Sequence, residues 1–176
     1  MTHGARATTA RARCDGVHAE RLRSSYSNWL SGVAAECDAF VTATLSQALP
    51  NVGGGLTALT REEIARTLRI LRDRVTKLLL GRGRYRRGER VTFLPFIEGG
   101  DRGTRLHAHI CMTIPPGLDR ITFQAALRRA ARNLEWVRSE IDFQFATTSG
   151  QANTARMVLY SLKEGADAFV PEAAHF

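Results

Sequence analysis

Two histidines one residue apart, His107 and His109, sit in an otherwise apolar run with Leu106, Ile110, Met112 and Ile114. Side chains two apart on a strand point to the same face, so a strand here projects both imidazoles together. Glu98 ends an earlier apolar run from Phe93, and a glycine-rich stretch separates the two. A hairpin would set the carboxylate beside the imidazoles, and two imidazoles with a carboxylate chelate a divalent cation. The plainer account is a pair of strand histidines that are only hydrogen-bonded, and His-x-His alone does not separate the two. Cys111 shares the histidines' strand face, which adds a zinc site as a third account, although no further thiol pair completes a structural tetrahedron. Tyr160 and Lys163 form a second group. Spaced three apart, they share a helix face with Asn153 and Arg156. A phenol there is a potential nucleophile, but such a pair also arises by chance in many helices.

The elements that must position these groups follow from periodicity. Residues 17 to 34 read as a helix through Leu22, Tyr26, Trp29, Leu30 and Val33, with Trp29 in a packing role. Phe40 to Leu45 reads as a strand with Phe40, Thr42 and Thr44 on one face. Residues 46 to 59 read as a loop around Gly53, Gly54 and Gly55. Thr60 and Glu63 form a capping box, and the helix behind it carries Ile64, Leu68, Leu71, Val75 and Leu78 as one stripe. The hairpin over 93 to 114 follows, then a helix over 120 to 137 with Phe123, Leu127, Ala130, Leu134 and Val137 on one face. A strand over 140 to 147 alternates Ile141, Phe143 and Phe145 with Asp142 and Gln144. A last helix spans 151 to 164, and the final dozen residues read as a loose tail. This order predicts an α+β fold, a central antiparallel β-sheet with packed helices.

At 176 residues the chain predicts one domain. With 44% hydrophobic and 24% charged residues it is ordinary globular material, but a net charge of +8 and a pI near 10.4 favour polyanionic partners, nucleic acid first. Five arginines, two glycines and Tyr85 crowd into residues 82 to 90. Arg82, Arg84, Arg86 and Arg87 are expected to meet backbone phosphate, and Tyr85 to stack on an unpaired base. Three scattered cysteines argue against a disulfide framework and for a reducing, cytoplasmic setting. Residues 1 to 16 read as a mobile basic arm. No apolar run reaches the roughly 18–20 residues that span a bilayer, so no membrane partner is expected. The Gly-Lys-Ser/Thr ending of a P-loop is absent, which excludes that nucleoside-triphosphate site.

Three of these segments, in order, resemble the three motifs of the HUH endonucleases, the rolling-circle replication initiators (Rep proteins) of small circular viruses, phages and plasmids. Phe40-Val-Thr-Ala-Thr-Leu45 resembles the first motif, Leu106-His-Ala-His-Ile110 the second, and Tyr160-Ser-Leu-Lys163 the third, a Tyr-x-x-Lys on a helix. Ile97-Glu-Gly-Gly, with Gly103 and Thr104, resembles the run in which a glutamate completes the metal site. The likeness covers residues 37 to 165, within a domain read as 17 to 165. Ala108 is small for the middle of the second motif, and no second catalytic tyrosine stands near Tyr160. Position 164 is Glu, so the Tyr-x-x-x-Gln pattern of insertion-sequence transposases is not matched.

The resemblance implies a ferredoxin-like or RRM-like sheet and a metal-dependent, site-specific endonuclease and strand transferase for single-stranded DNA. His107, His109 and Glu98 would hold Mn²⁺ or Mg²⁺. Tyr160 would be the nucleophile, giving a 5′-phosphotyrosine and a free 3′-hydroxyl that can later reseal the strand. Lys163 would assist the phenolate, the phosphate or a proton. Thr42, Thr44 and Arg156 would lie along the DNA. The implied partners are single-stranded DNA at an origin or hairpin and a helicase supplied in trans. Two alternatives remain: a transposase or relaxase of the same chemistry, and a non-catalytic nucleic-acid-binding domain.

Overall fold

The computed structural model describes residues 24–25, 28–30, 32–99, 105–146, 156–158, 160–162 and 168–176. The basic arm, Leu22, Tyr26, Asn153, Lys163 and the turn residues 100–104 lie outside them. The elements run β1 (Ala39–Leu45), β2 (Ala48–Pro50), β3 (Leu56–Ala58), α1 (Arg61–Arg86), β4 (Phe93–Glu98), β5 (His107–Met112), α2 (Arg120–Ala131) and β6 (Val137–Phe145). A 3₁₀ turn, Pro171–Ala173, closes the series. Apart from the small β2–β3 hairpin this is β-α-β-β-α-β, in one antiparallel sheet of order β4-β5-β1-β6. It is a ferredoxin-like arrangement and bears out the expected α+β class.

The two faces of the sheet bury different things. Val41, Ala108, Ile110 and Met112 point to one face, where Leu68, Leu71, Val75, Phe123 and Leu127 of α1 and α2 cover them. Phe40, Leu94, Phe96 and Cys111 point to the other, under Leu30, Ala34, Val158 and Phe169. Central β1 is therefore apolar on both sides, apart from its threonines.

The capping box at the start of α1 forms as expected. Glu63 N–H donates to Thr60 Oγ1 (3.2 Å) and Thr60 N–H donates to Glu63 Oε2 (3.0 Å). Ile64, Leu68, Leu71 and Val75 are buried, but Leu78 is 39% exposed. Leu79 and Leu80 are half-buried against the core in its place. The helix then kinks at Gly81, whose φ of 77° with ψ of 162° suits only a residue without Cβ, and residues 82 to 86, read as connector, continue it. Asp119 caps α2, with Thr122 N–H donating to Oδ1 at 2.9 Å, and the Thr122 hydroxyl and amide hold its carboxyl below the ordinary value. The helix ends earlier than its pattern, because Asn133 takes a left-handed φ of 62°. That turn releases Val137 to open β6.

Two segments read as irregular are ordered. Within 46 to 59, β2 and β3 form a hairpin whose turn is tied by Asn51 Oδ1, which accepts from Gly53 N–H and Gly55 N–H. Residues 168 to 176, read as a tail, line the outer edge of β4 through bridges of Phe169 to Phe96 and His175 to Phe93, with Phe169 and Val170 buried. Trp29 packs edge-on against Phe169 and Phe176, the packing role expected of it. Among the described residues no helix is long and apolar enough to cross a membrane.

Burial, with the charges of Arg72 and Arg90, lowers the His175 pKa below the ordinary value. The folded chain thus binds this proton less tightly than the unfolded chain. The resulting stability is full above the unfolded value, about 6.5, and fades as pH falls through the folded one. Thermal melts from neutral pH down to about pH 5 are expected to show a falling midpoint, and His175→Gln is expected to flatten that fall.

Candidate metal and nucleic-acid site

The site lies on the sheet face away from α1 and α2. In β5, Ala108 and Ile110 go to the core beneath those helices, with Leu106 just before the strand, so strand alternation turns His107 and His109 to the opposite side. The β4–β5 hairpin forms in the register that places Glu98 opposite His107 and Phe96 opposite His109. From the other side, β1 sets Thr42 opposite His109 and Thr44 opposite His107. Glu98, His107, His109, Thr42 and Thr44 thus share one patch.

His109 is held on three sides. Its Nε2 lies 2.7 Å from Glu98 Oε2, its Nδ1 lies 3.1 Å from Thr42 Oγ1, and its ring stacks on Phe40 at 5.1 Å between centroids. An ionised carboxylate only accepts, so with Glu98 ionised the Nε2 of this pair carries a proton. His107 lies nearly parallel to His109, 6.3 Å away between ring centroids and 19° between planes. Glu98 therefore reaches diagonally to His109 rather than directly across to its register partner. Among the described residues, no three His, Cys, Asp or Glu side chains are close enough together to form a metal cluster. Two of the three expected donors converge, and the third stands beside them on the same face. Carboxylate is a hard donor and imidazole a borderline one, a mixed set that suits Mn²⁺ better than Mg²⁺.

Cys111 shares the face, as expected, but is fully buried beside buried Cys37. Burial, then Cys37, pushes its thiol well above the ordinary range. A thiol enclosed among Phe40, Leu94 and Phe96 does not suit the zinc account, which needs an accessible sulfur.

Tyr160 belongs to helical residues that pack on this same face. Val158 is fully buried in the cluster with Phe40, Phe96 and Cys111, and Met157 and Leu162 are packed against it. Ser161 is buried and donates to Met157 O at 3.0 Å. Tyr160 stays 52% exposed, with Arg156 also on the exposed side. Lys163 lies outside the described residues.

The arginine-rich stretch is elsewhere. It leads into Phe93, which pairs with Met112, whereas Glu98 pairs with His107 at the other end of the hairpin. Five strand steps put those ends about 17 Å apart. Arg84 and Arg87 are paired with Glu89, while Arg82 and Arg86 are exposed. The Tyr85 ring lies under Lys77 and Arg90, 4.4 and 3.9 Å from its centroid, so cations occupy positions where a stacked base was expected.

Several contributors escape a reading of motifs. Thr42 bonds His109 instead of facing a ligand directly. Asp142, opposite Thr42 on β6, is exposed on the same side. Arg105 and Arg138 flank the histidine end of β1. The threonine alternation was legible, but which strand lies beside β5 is a tertiary fact. Comparisons with protein-family models, curated proteins and solved structures gave no match to this chain.

Proposed function

We propose that this protein is a metal-dependent endonuclease and strand transferase for single-stranded DNA, acting through a tyrosine-linked intermediate in the initiation of rolling-circle replication. The observation that carries the reading is the shared sheet face. Glu98, His107 and His109 stand together on it, and the helical residues bearing Tyr160 are anchored to it through Val158.

His109, Glu98 and His107 are the residues that would hold Mn²⁺ or Mg²⁺, and a cation bound there supplies Lewis-acid polarisation of a phosphodiester. The remaining work falls to the chain. Phe40 and Thr42 fix the His109 ring. The Tyr160 phenol gives up its proton to solvent water as its oxygen bonds to phosphorus. The bond from phosphorus to the 3′ oxygen breaks, and that oxygen takes a proton. The reverse attack by a 3′-hydroxyl frees Tyr160 and reseals the strand. Lys163, three residues on, is the proposed aid to the phenolate or phosphate. Strand separation falls to a helicase in trans.

The test is a covalent-adduct assay. Wild-type protein, a single-stranded DNA pool including the strand around its own gene, and Mn²⁺ are run on a denaturing gel. The expected result is a DNA-shifted protein band that chelator abolishes. Tight DNA binding without an adduct would instead assign the sheet face to a non-catalytic binding module.

A further inference from the structure

The histidine end of β1 opens into a cleft of about 370 Å³ lined by Thr44, Ser46, Gln47, Arg105 and Arg138, among others. Its construction follows from an irregularity in the sheet. Ala43 opposes Ile141 but Leu45 opposes Val137, so two steps of β1 are matched by four of β6. A bulge of this kind bends its strand away and re-aims its side chains, here Arg138 and its neighbours. Ser46 N–H donates to Trp136 O (2.9 Å) and Leu45 N–H to Leu106 O (2.8 Å), which hold the walls on either side.

The cleft adjoins the candidate site at Thr44. Thr44, on its wall, is the register partner of His107. Arg105 stands two residues before His107, and its guanidinium meets Glu140, the neighbour of core-facing Ile141 on β6. Its contact with Glu140 is long, 3.8 Å, and both side chains are 69% exposed. An exposed pair of this kind is worth little and is readily exchanged for a better anion. Two guanidiniums on a polar cleft beside the imidazoles suit an oxyanion with several acceptors, and guanidinium forks match phosphate geometry.

We propose that this cleft binds a backbone phosphate of the single-stranded nucleic acid whose adjoining phosphodiester lies over His107 and His109, with Arg105 and Arg138 as its two donors. The assignment of the neighbouring phosphodiester rests on the endonuclease reading. The phosphate site itself does not. It also replaces the stretch around Arg82 to Arg87, at the opposite end of the hairpin, as the strand's main electrostatic contact next to the site.

The experiment is fluorescence anisotropy with a short labelled single strand of mixed sequence, titrated across salt concentrations. Each phosphate neutralised contributes about 0.7 to the slope of log K against log salt for single strands. Arg105→Ala/Arg138→Ala is expected to flatten the slope by about that amount. Arg105→Lys/Arg138→Lys is expected to retain it. Arg66→Ala/Arg69→Ala removes two exposed charges from α1, beyond the other sheet face, and is expected to leave it unchanged. Circular-dichroism melts confirm that each variant folds. A wild-type slope in the Ala/Ala variant, an equal loss in the α1 control, or no salt-dependent binding by wild type would each overturn the proposal. A flattened slope without any wild-type adduct would overturn the endonuclease reading and leave the phosphate site standing.

Discussion

Tyr160→Phe is expected to abolish the covalent protein–DNA adduct completely, while the protein still folds and still binds single strands. The proposed adduct is a bond to the phenolic oxygen, so removing that one atom would leave no partial activity to measure. The chain has three tyrosines, and Tyr85 sits under Lys77 and Arg90 beyond the far end of the hairpin from Glu98. The helical residues around Tyr160 owe their place to Val158, Met157 and Leu162, none of which the substitution alters. Tyr160 is half exposed, and changes at exposed positions seldom move stability by more than about 1 kcal/mol. A gel showing an adduct in the variant, with the attached residue mapped by mass spectrometry, would move the nucleophile elsewhere. Loss of the adduct together with loss of the folded melt would require a milder substitution before any role is assigned.

The hairpin that carries the histidines was legible because its signals are local. Strand alternation put Leu106, Ala108 and Ile110 on one side and His107 and His109 on the other, and the structure keeps that division. The capping box at Thr60 was legible for the same reason: its partners are three residues apart. Leu78 failed as a core residue because the stripe was extended toward a kink at Gly81 that only the backbone reveals. The β2–β3 hairpin was missed because its residues are largely exposed, so burial prints no alternation on it. Residues 168 to 176 looked like a tail because a short segment paired to a distant strand edge has no period of its own.

The site's supporting residues were harder to read than its donors. Thr42 and Thr44 were placed on one face correctly, but their purpose depends on β1 lying next to β5, a strand more than sixty residues away in the chain. The arginines of residues 82 to 87 drew attention by their density. Density does not say which end of β4 they adjoin, and the register puts them at the end remote from Glu98. Arg105 and Arg138 stood in no cluster of the sequence; they line one cleft beside the register shift between β1 and β6.

Thr42→Val is expected to weaken Mn²⁺ affinity by about 10- to 100-fold, the usual effect of removing a hydrogen-bond partner behind a metal-binding histidine. The Glu98 contact shows Nε2 of His109 facing the carboxylate, and a bound cation needs that nitrogen's lone pair. The ring proton must then sit on Nδ1, where Thr42 Oγ1, 3.1 Å away, is the acceptor at hand. Valine keeps the β-branched shape that suits a strand but sets a methyl against that N–H, leaving a half-buried donor unsatisfied. The ring itself should stay in place, because its stacking on Phe40 is untouched. Thr42→Ser restores the oxygen and is expected to restore most of the affinity, which separates loss of the hydrogen bond from loss of packing. Calorimetric titration with Mn²⁺, and the Mn²⁺ concentration giving half-maximal adduct, should shift together in Thr42→Val. Equal affinity in wild type and Thr42→Val would show that Thr42 does not set the His109 tautomer, leaving Phe40 and Glu98 to orient the ring.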